Sequence, residues 1–243
     1  MMKKLYKHVE FLTEVDPPRT YDQPDSLNKC ADYIKKEFEQ IGLRTIEQSF
    51  EYENITYRNI IGQLGDSGLS KIVIGAHYDV FGPMPGADDN ASAVAGLIEI
   101  ARILKENESR LRFQFEFVGY ANEEPPFFAT RWMGSYVHAD ELDNQNQDIR
   151  LMICLEMIGY YTDEENSQDY PNAALRQFYP TKGNFITLVG NEKQKIILEQ
   201  FKKIFIEKSG FLCEMIAAPS NITGIDFSDH RNYWQMGYDA IMI

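Results

Sequence analysis

KIVIGAHYDV at residues 71–80, PGADDN at 85–90 and ASAVAGLIEIARILK at 91–105 form the stretch whose reading decides the fold. The first run is short and apolar and closes on His77 and Asp79, which reads as a buried strand. The last is apolar nearly all round, with Ala91, Ala93, Ala95 and Gly96 small enough to let a helix lie close on a sheet. A strand, a polar break and a buried helix in that order start an α/β arrangement.

Working outward, residues 26–43 place Leu27, Cys30, Ala31, Ile34, Phe38 and Ile41 at helical spacing, with Asp25 or Ser26 as N-cap and Gly42 near the end. Residues 44–64 are rich in β-branched and aromatic types and break at Asn54, so a pair of strands is expected. Residues 111–121 alternate Phe113, Phe115 and Phe117 with Arg112, Gln114 and Glu116, a strand with one polar face over its first half. Further strands are expected at 151–158, 185–189, 211–217 and 239–243, with a helix over about 192–208. Strands alternating with helices predict a mixed, largely parallel sheet with helices on both faces, in a single domain over 1–243. Residues 162–181, with Pro171 and Pro180, form the longest irregular segment, a lid or pocket wall.

Composition narrows the class. Acidic residues outnumber basic ones 37 to 24, a formal charge of −13. With no Lys/Arg cluster to offset it, this disfavours nucleic acid and anionic membranes as partners. Cys30, Cys154 and Cys213 are odd in number, far apart and set in apolar stretches, so they read as buried free thiols. No run approaches the roughly 18 to 20 apolar residues that span a bilayer. The N-terminus lacks a signal-peptide pattern, which predicts a cytoplasmic protein as written, or a periplasmic or secreted one whose signal was removed.

Open α/β sheets present functional groups at the carboxyl ends of strands. Here His77-Tyr78-Asp79, Glu123-Glu124 and Glu156 fall at or near predicted strand ends, and Asp88-Asp89 leads into the buried helix. Taken singly, a His-x-Asp pair is more often a local hydrogen bond, Asp88 or Asp89 an N-cap, and Glu123-Glu124 a solvated loop. Glu156 inside an apolar run favours function by itself, because an unpaired buried carboxylate is costly. Zinc accepts imidazole and carboxylate together, and two adjacent ions need a bridging carboxylate, for which Asp88 is the expected residue. One member of the Glu123-Glu124 pair would then bind metal while the other takes a proton from water, and Asp79 would orient His77.

These motifs, with Pro18-Arg19-Thr20-Tyr21 early, Gly134-Ser135, Leu155-Glu156-Met157-Ile158-Gly159 and Ser228-Asp229-His230 late, resemble the co-catalytic zinc aminopeptidase family. Its relatives include bacterial leucyl aminopeptidases, glutamate carboxypeptidases and glutaminyl cyclases. The resemblance implies zinc as cofactor and a peptide as substrate. It also implies that His77 and Glu156 bind one zinc, Glu124 the other, Asp88 both, and that Glu123 is general base and acid. Asp229 and His230 would line the site.

The family pattern continues past a strand like residues 239–243 into a Tyr-His-Thr-type loop that supplies the second zinc's histidine, then a closing helix. This sequence shows neither, so one complete and one weakened zinc site are expected. His8 and His138 are expected at the surface or in packing. Glu156 stands where many relatives have Asp. An inactive relative or peptide-binding module is the first alternative. A glutaminyl-cyclase-like acyl transferase fits less well, since such enzymes carry Ser after the bridging Asp, where this chain has Asp89.

Overall fold

The computed structural model describes residues 2–170 and 173–243; Pro171, part of the expected lid, lies outside the described residues. The first helix, α1 (Met2–Thr13), is followed by α2 (Pro24–Ile41) and the hairpin β1 (Arg44–Tyr52) and β2 (Ile55–Leu64). Then come β3 (Lys71–His77), α3 (Ala93–Glu106), β4 (Gln114–Tyr120), α4 (Gly134–Asn144) and β5 (Ile149–Cys154). The chain closes with β6 (Ile186–Gly190), α5 (Lys195–Ser209), β7 (Cys213–Ala217), α6 (His230–Gln235) and β8 (Ala240–Met242). The strands form one sheet in the order β1-β2-β4-β3-β5-β8-β6-β7. Its centre, β4-β3-β5-β8, is parallel, and the β1-β2 hairpin runs antiparallel at one edge.

Period-2 alternation splits the apolar residues between two cores. Ile74 and Phe117 pack with Leu12, Ile34, Phe38, Val94 and Leu97 of α1, α2 and α3. Their neighbours Val73 and Val118 pack with Ala139 of α4 and Tyr233 of α6 on the other face. The sheet is therefore covered on both sides, as its residue pattern requires.

Two departures from the sequence reading have physical causes. The polar residues of β4 lie on a buried face: Gln114 and Glu116 are 7% and 2% exposed, because Lys71 and His138 meet Glu116 there. His8 and His138, expected at the surface or in packing, take the packing role: both are buried, with the His8 ring nitrogens facing Tyr33 Oη at 2.7 Å and Glu99 at 3.4 Å. Finally, α2 ends as expected, Gly42 taking the left-handed C-cap (φ 88°), but starts at Pro24 with Gln23 as N-cap.

All three cysteines are buried free thiols. Among the described residues, no helix is long and apolar enough to cross a membrane.

Candidate metal centre

β3, β4 and β5 run parallel, so their carboxyl ends open on the same edge of the sheet. His77 is the last residue of β3, Glu123 and Glu124 follow β4, and Glu156 follows β5. The wide turn Ala87–Ser92 brings in a fourth group: Asp89 breaks helical geometry at φ −98°, ψ 99°, and its side chain turns toward the strand ends.

His77 Nε2 lies 3.3 Å from Asp89 Oδ1, 3.5 Å from Glu156 Oε2 and 3.9 Å from Glu123 Oε2. One donor atom each from His77, Asp89 and Glu156 falls within 4.8 Å of the others. Asp79 stands behind the ring, its Oδ1 3.4 Å from His77 Nδ1, and its two oxygens accept the Glu123 and Glu124 backbone N–H groups at 3.0 Å each. Asp79 thus holds the imidazole and the Glu123-Glu124 turn together. Ser228 donates to Glu156 Oε2 at 2.6 Å, which fixes that carboxylate from the α6 side.

The expectation for Asp88 is corrected. Its Oδ1 accepts the Gly159 and Tyr160 N–H groups at 2.8 and 3.1 Å, so it ties the turn to the segment after β5 while Asp89 faces His77. His230 is also absent from the cluster: its Nε2 donates to the Ile225 carbonyl at 2.7 Å, and burial pushes its pKa down to about 4. Asp229 is fully buried behind the site, with Ser135 facing it but completing no hydrogen bond of good geometry. None of the three other histidines reaches the cluster.

The electrostatics are those of a carboxylate excess. Asp79, Asp89, Glu123, Glu124, Glu156 and Asp229 surround one imidazole. Burial opposes protonating His77, yet Glu156 and Glu123 hold its pKa well above the usual range. Burial drives Glu123 well up, Glu124 up to about 7 and Asp229 up to about 7, each partly offset by His77. Asp89 goes the other way, because His77 outweighs its burial. Asp89 Oδ1 is buried without a hydrogen-bond partner. A nitrogen and hard carboxylate oxygens, some unpartnered and in charge excess, fit zinc as a ligand set.

The group opens into a cavity of about 810 Å³. It is lined by His77, Asp89, Glu123, Glu124 and Glu156 and by the apolar Ile186, Val189, Phe227 and Ile243. Residues 167–170, Leu175 and Tyr179 line it too, so the long loop forms part of the pocket wall.

The profile of Peptidase family M28 matches residues 59–243, about three quarters of the chain. The chain belongs to this family. The M28 assignment covers every strand from β3 onward and the whole cluster. An uncharacterized Escherichia coli (strain K12) protein, YfbL, is 42% identical over 99% of this chain and 76% of its own length. Among solved structures, the Legionella pneumophila LapA aminopeptidase superimposes with a TM-score of 0.73 at 19% identity, over 100% of this chain and 60% of that one. A Bacteroides thetaiotaomicron glutaminyl cyclase gives 0.72 at 18% identity, over 100% and 84%. At such identities these two share the fold, and this M28 chain spans about three fifths of LapA.

Proposed function

We propose that this chain is a zinc-dependent aminopeptidase that removes the N-terminal residue of peptides. The observation that carries it is His77 Nε2, 3.3 Å from Asp89, 3.5 Å from Glu156 and 3.9 Å from a Glu123 carboxyl that burial predisposes to carry a proton. His77, Asp89 and Glu156 would hold one zinc, and Asp89 with Glu124 would reach toward a second. Bound there, zinc polarises a scissile carbonyl and lets water attack it at neutral pH.

Glu123 takes the proton of the attacking water and returns it to the leaving amine nitrogen. Asp79 keeps His77 Nδ1 facing inward, so that Nε2 is the free donor. The carboxylate excess suits the ammonium of a peptide N-terminus, and the apolar lining suits the side chain of the first residue. The residue after the central aspartate is Asn90, so the distinction from glutaminyl cyclases rests one position later than the sequence suggested.

The test is release of amino acids from a peptide library by the zinc-loaded protein, beside zinc content per chain by elemental mass spectrometry. Free N-terminal residues released from unblocked but not N-acetylated peptides is the expected result. Equal cleavage of blocked peptides overturns the N-terminal specificity. Metal without turnover supports the binding-module alternative, and cyclisation of N-terminal glutamine supports the acyl transferase.

A further inference from the structure

We propose that Arg19 is a positioning residue for the metal group, a buried guanidinium that staples both ends of the loop carrying Asp79 and leading to Asp89. The inference rests on the reading of His77, Asp89 and Glu156 as metal-binding.

Arg19 is 1% exposed, and among the described residues no carboxylate lies within ion-pair distance of it. A buried guanidinium is tolerated only when its donors are satisfied. Four carbonyls satisfy this one: Nε donates to Tyr78 O at 2.7 Å, Nη1 to Leu12 O at 3.0 Å and Pro85 O at 2.6 Å, and Nη2 to Gly86 O at 2.7 Å. Tyr78 sits between His77 and Asp79, and Gly86 lies three residues before Asp89. One side chain therefore fixes the distance between the point where the chain leaves β3 and the point where it enters the Asp89 turn. The Arg19 backbone adds a fifth tie, accepting the Val80 N–H at 3.2 Å.

The loop is built around this fork. At Gly86 (φ +61°) an added Cβ would lie 2.2 Å from Val80 Cγ1, 2.4 Å from Asp89 O and 2.8 Å from Arg19 Nη2, so a side chain there cannot coexist with the staple. The four acceptors come from three separate stretches of chain, which a planar set of five N–H donors reaches and a single ammonium does not. Asp79 and Asp89 supply the longer-range negative charge that accompanies the buried cation. Leu12 O brings in α1, so the N-terminal helix is tied to the metal loop through the same group.

The experiment measures Zn²⁺ and Co²⁺ affinity by competition with a chromophoric chelator, and the visible spectrum of bound Co²⁺. The proteins are the full chain, Arg19→Lys, Arg19→Ala and Gly86→Ala, each checked for folding by circular dichroism. Losing a partner outside the ligand set typically weakens metal binding about 10- to 100-fold. That loss is expected in all three variants, with a changed Co²⁺ spectrum. Low-millimolar guanidinium should restore part of the affinity of Arg19→Ala and none of that of Arg19→Lys. Parent affinity and spectrum in folded Arg19→Lys and Arg19→Ala overturn the proposal. Should those two fail to fold, parent affinity in Gly86→Ala overturns it. A parent chain that binds neither ion overturns the metal reading itself, an outcome distinct from unchanged variants.

Discussion

Strand β3 begins in one buried polar cluster and ends in another. At its start, Lys71 Nζ lies 2.6 Å from Glu116 Oε1, His138 Nε2 lies 3.5 Å from Glu116 Oε2, and Gln63 donates to Oε1 at 2.8 Å. His138 Nδ1 then meets Tyr233 Oη at 2.6 Å, which meets Tyr120 Oη at 2.7 Å. At its end, His77 stands among carboxylates. Both histidines are almost fully buried, at 3% and 1% exposed. The difference is charge balance. Burial alone would raise Glu116, but His138 and Lys71 hold its pKa down to about 2, whereas Glu124 at the other end rises to about 7. A cluster with its cations built in holds the fold together; the cluster short of cations is the one to which we assign the metal.

The largest effect should come from Glu123→Gln, which removes the proton carrier and leaves the ligands. Turnover is expected to fall about 10²- to 10⁴-fold with zinc content unchanged. Equal loss of zinc would mean that Glu123 is a ligand, which breaks the division of roles.

At the opposite end, Lys71→Met leaves Glu116 underpaired and should cost about 3–5 kcal/mol in urea unfolding. Zinc affinity should not change. A variant as stable as the parent would erase the contrast between the clusters.

Asp89→Asn against Asp88→Asn sharpens the correction within the Ala87–Ser92 turn. The first should weaken zinc binding about 100-fold, at or beyond the upper range for partners outside the ligand set. The second should stay within a few fold, because Asp88 serves backbone N–H groups.

The smallest effect is a pH slope. Glu124 and Asp229 have folded pKa values of about 7, above their ordinary 4.5 and 3.8, so between those values the folded chain binds the extra protons. Their contribution to the stability of chelator-treated protein therefore falls as pH rises toward and through 7. Glu116 has the opposite sign: its contribution is present above 4.5 and is lost as pH falls toward 2. Melting temperatures across pH 5 to 8 should show a flatter slope in Asp229→Asn than in the parent, and an unchanged slope would remove Asp229 from the charge excess.

Much of the fold is legible in the sequence because long apolar runs leave little choice. The β1-β2 hairpin, β3, α3 and β4 all lie within a few residues of where periodicity puts them. Three helices escape that reading. α1 is amphipathic but its lysines mask the pattern, whereas α4 has only weak amphipathic segregation and α6 is six residues long, so tertiary contacts rather than pattern define those two. In the site, residue types at strand ends were enough to single out His77, Glu123, Glu124 and Glu156, which the structure brings to one cavity. Asp88 and Asp89 could not be told apart, since adjacent residues in a turn differ only in the direction the backbone gives them. Arg19 appears in the sequence merely as part of a loop motif, and its four carbonyl partners span residues 12 to 86.

By itself, then, the sequence determined that a parallel-centred α/β sheet would carry an imidazole and several carboxylates at its strand ends, because hydrophobic periodicity and strand direction are local properties. Only the tertiary structure decided which aspartate faces His77, which buried histidine is matched by a lysine–glutamate pair and which is not, and what holds the Asp89 turn in place. Those outcomes depend on groups far apart in the chain competing for the same buried space and charge.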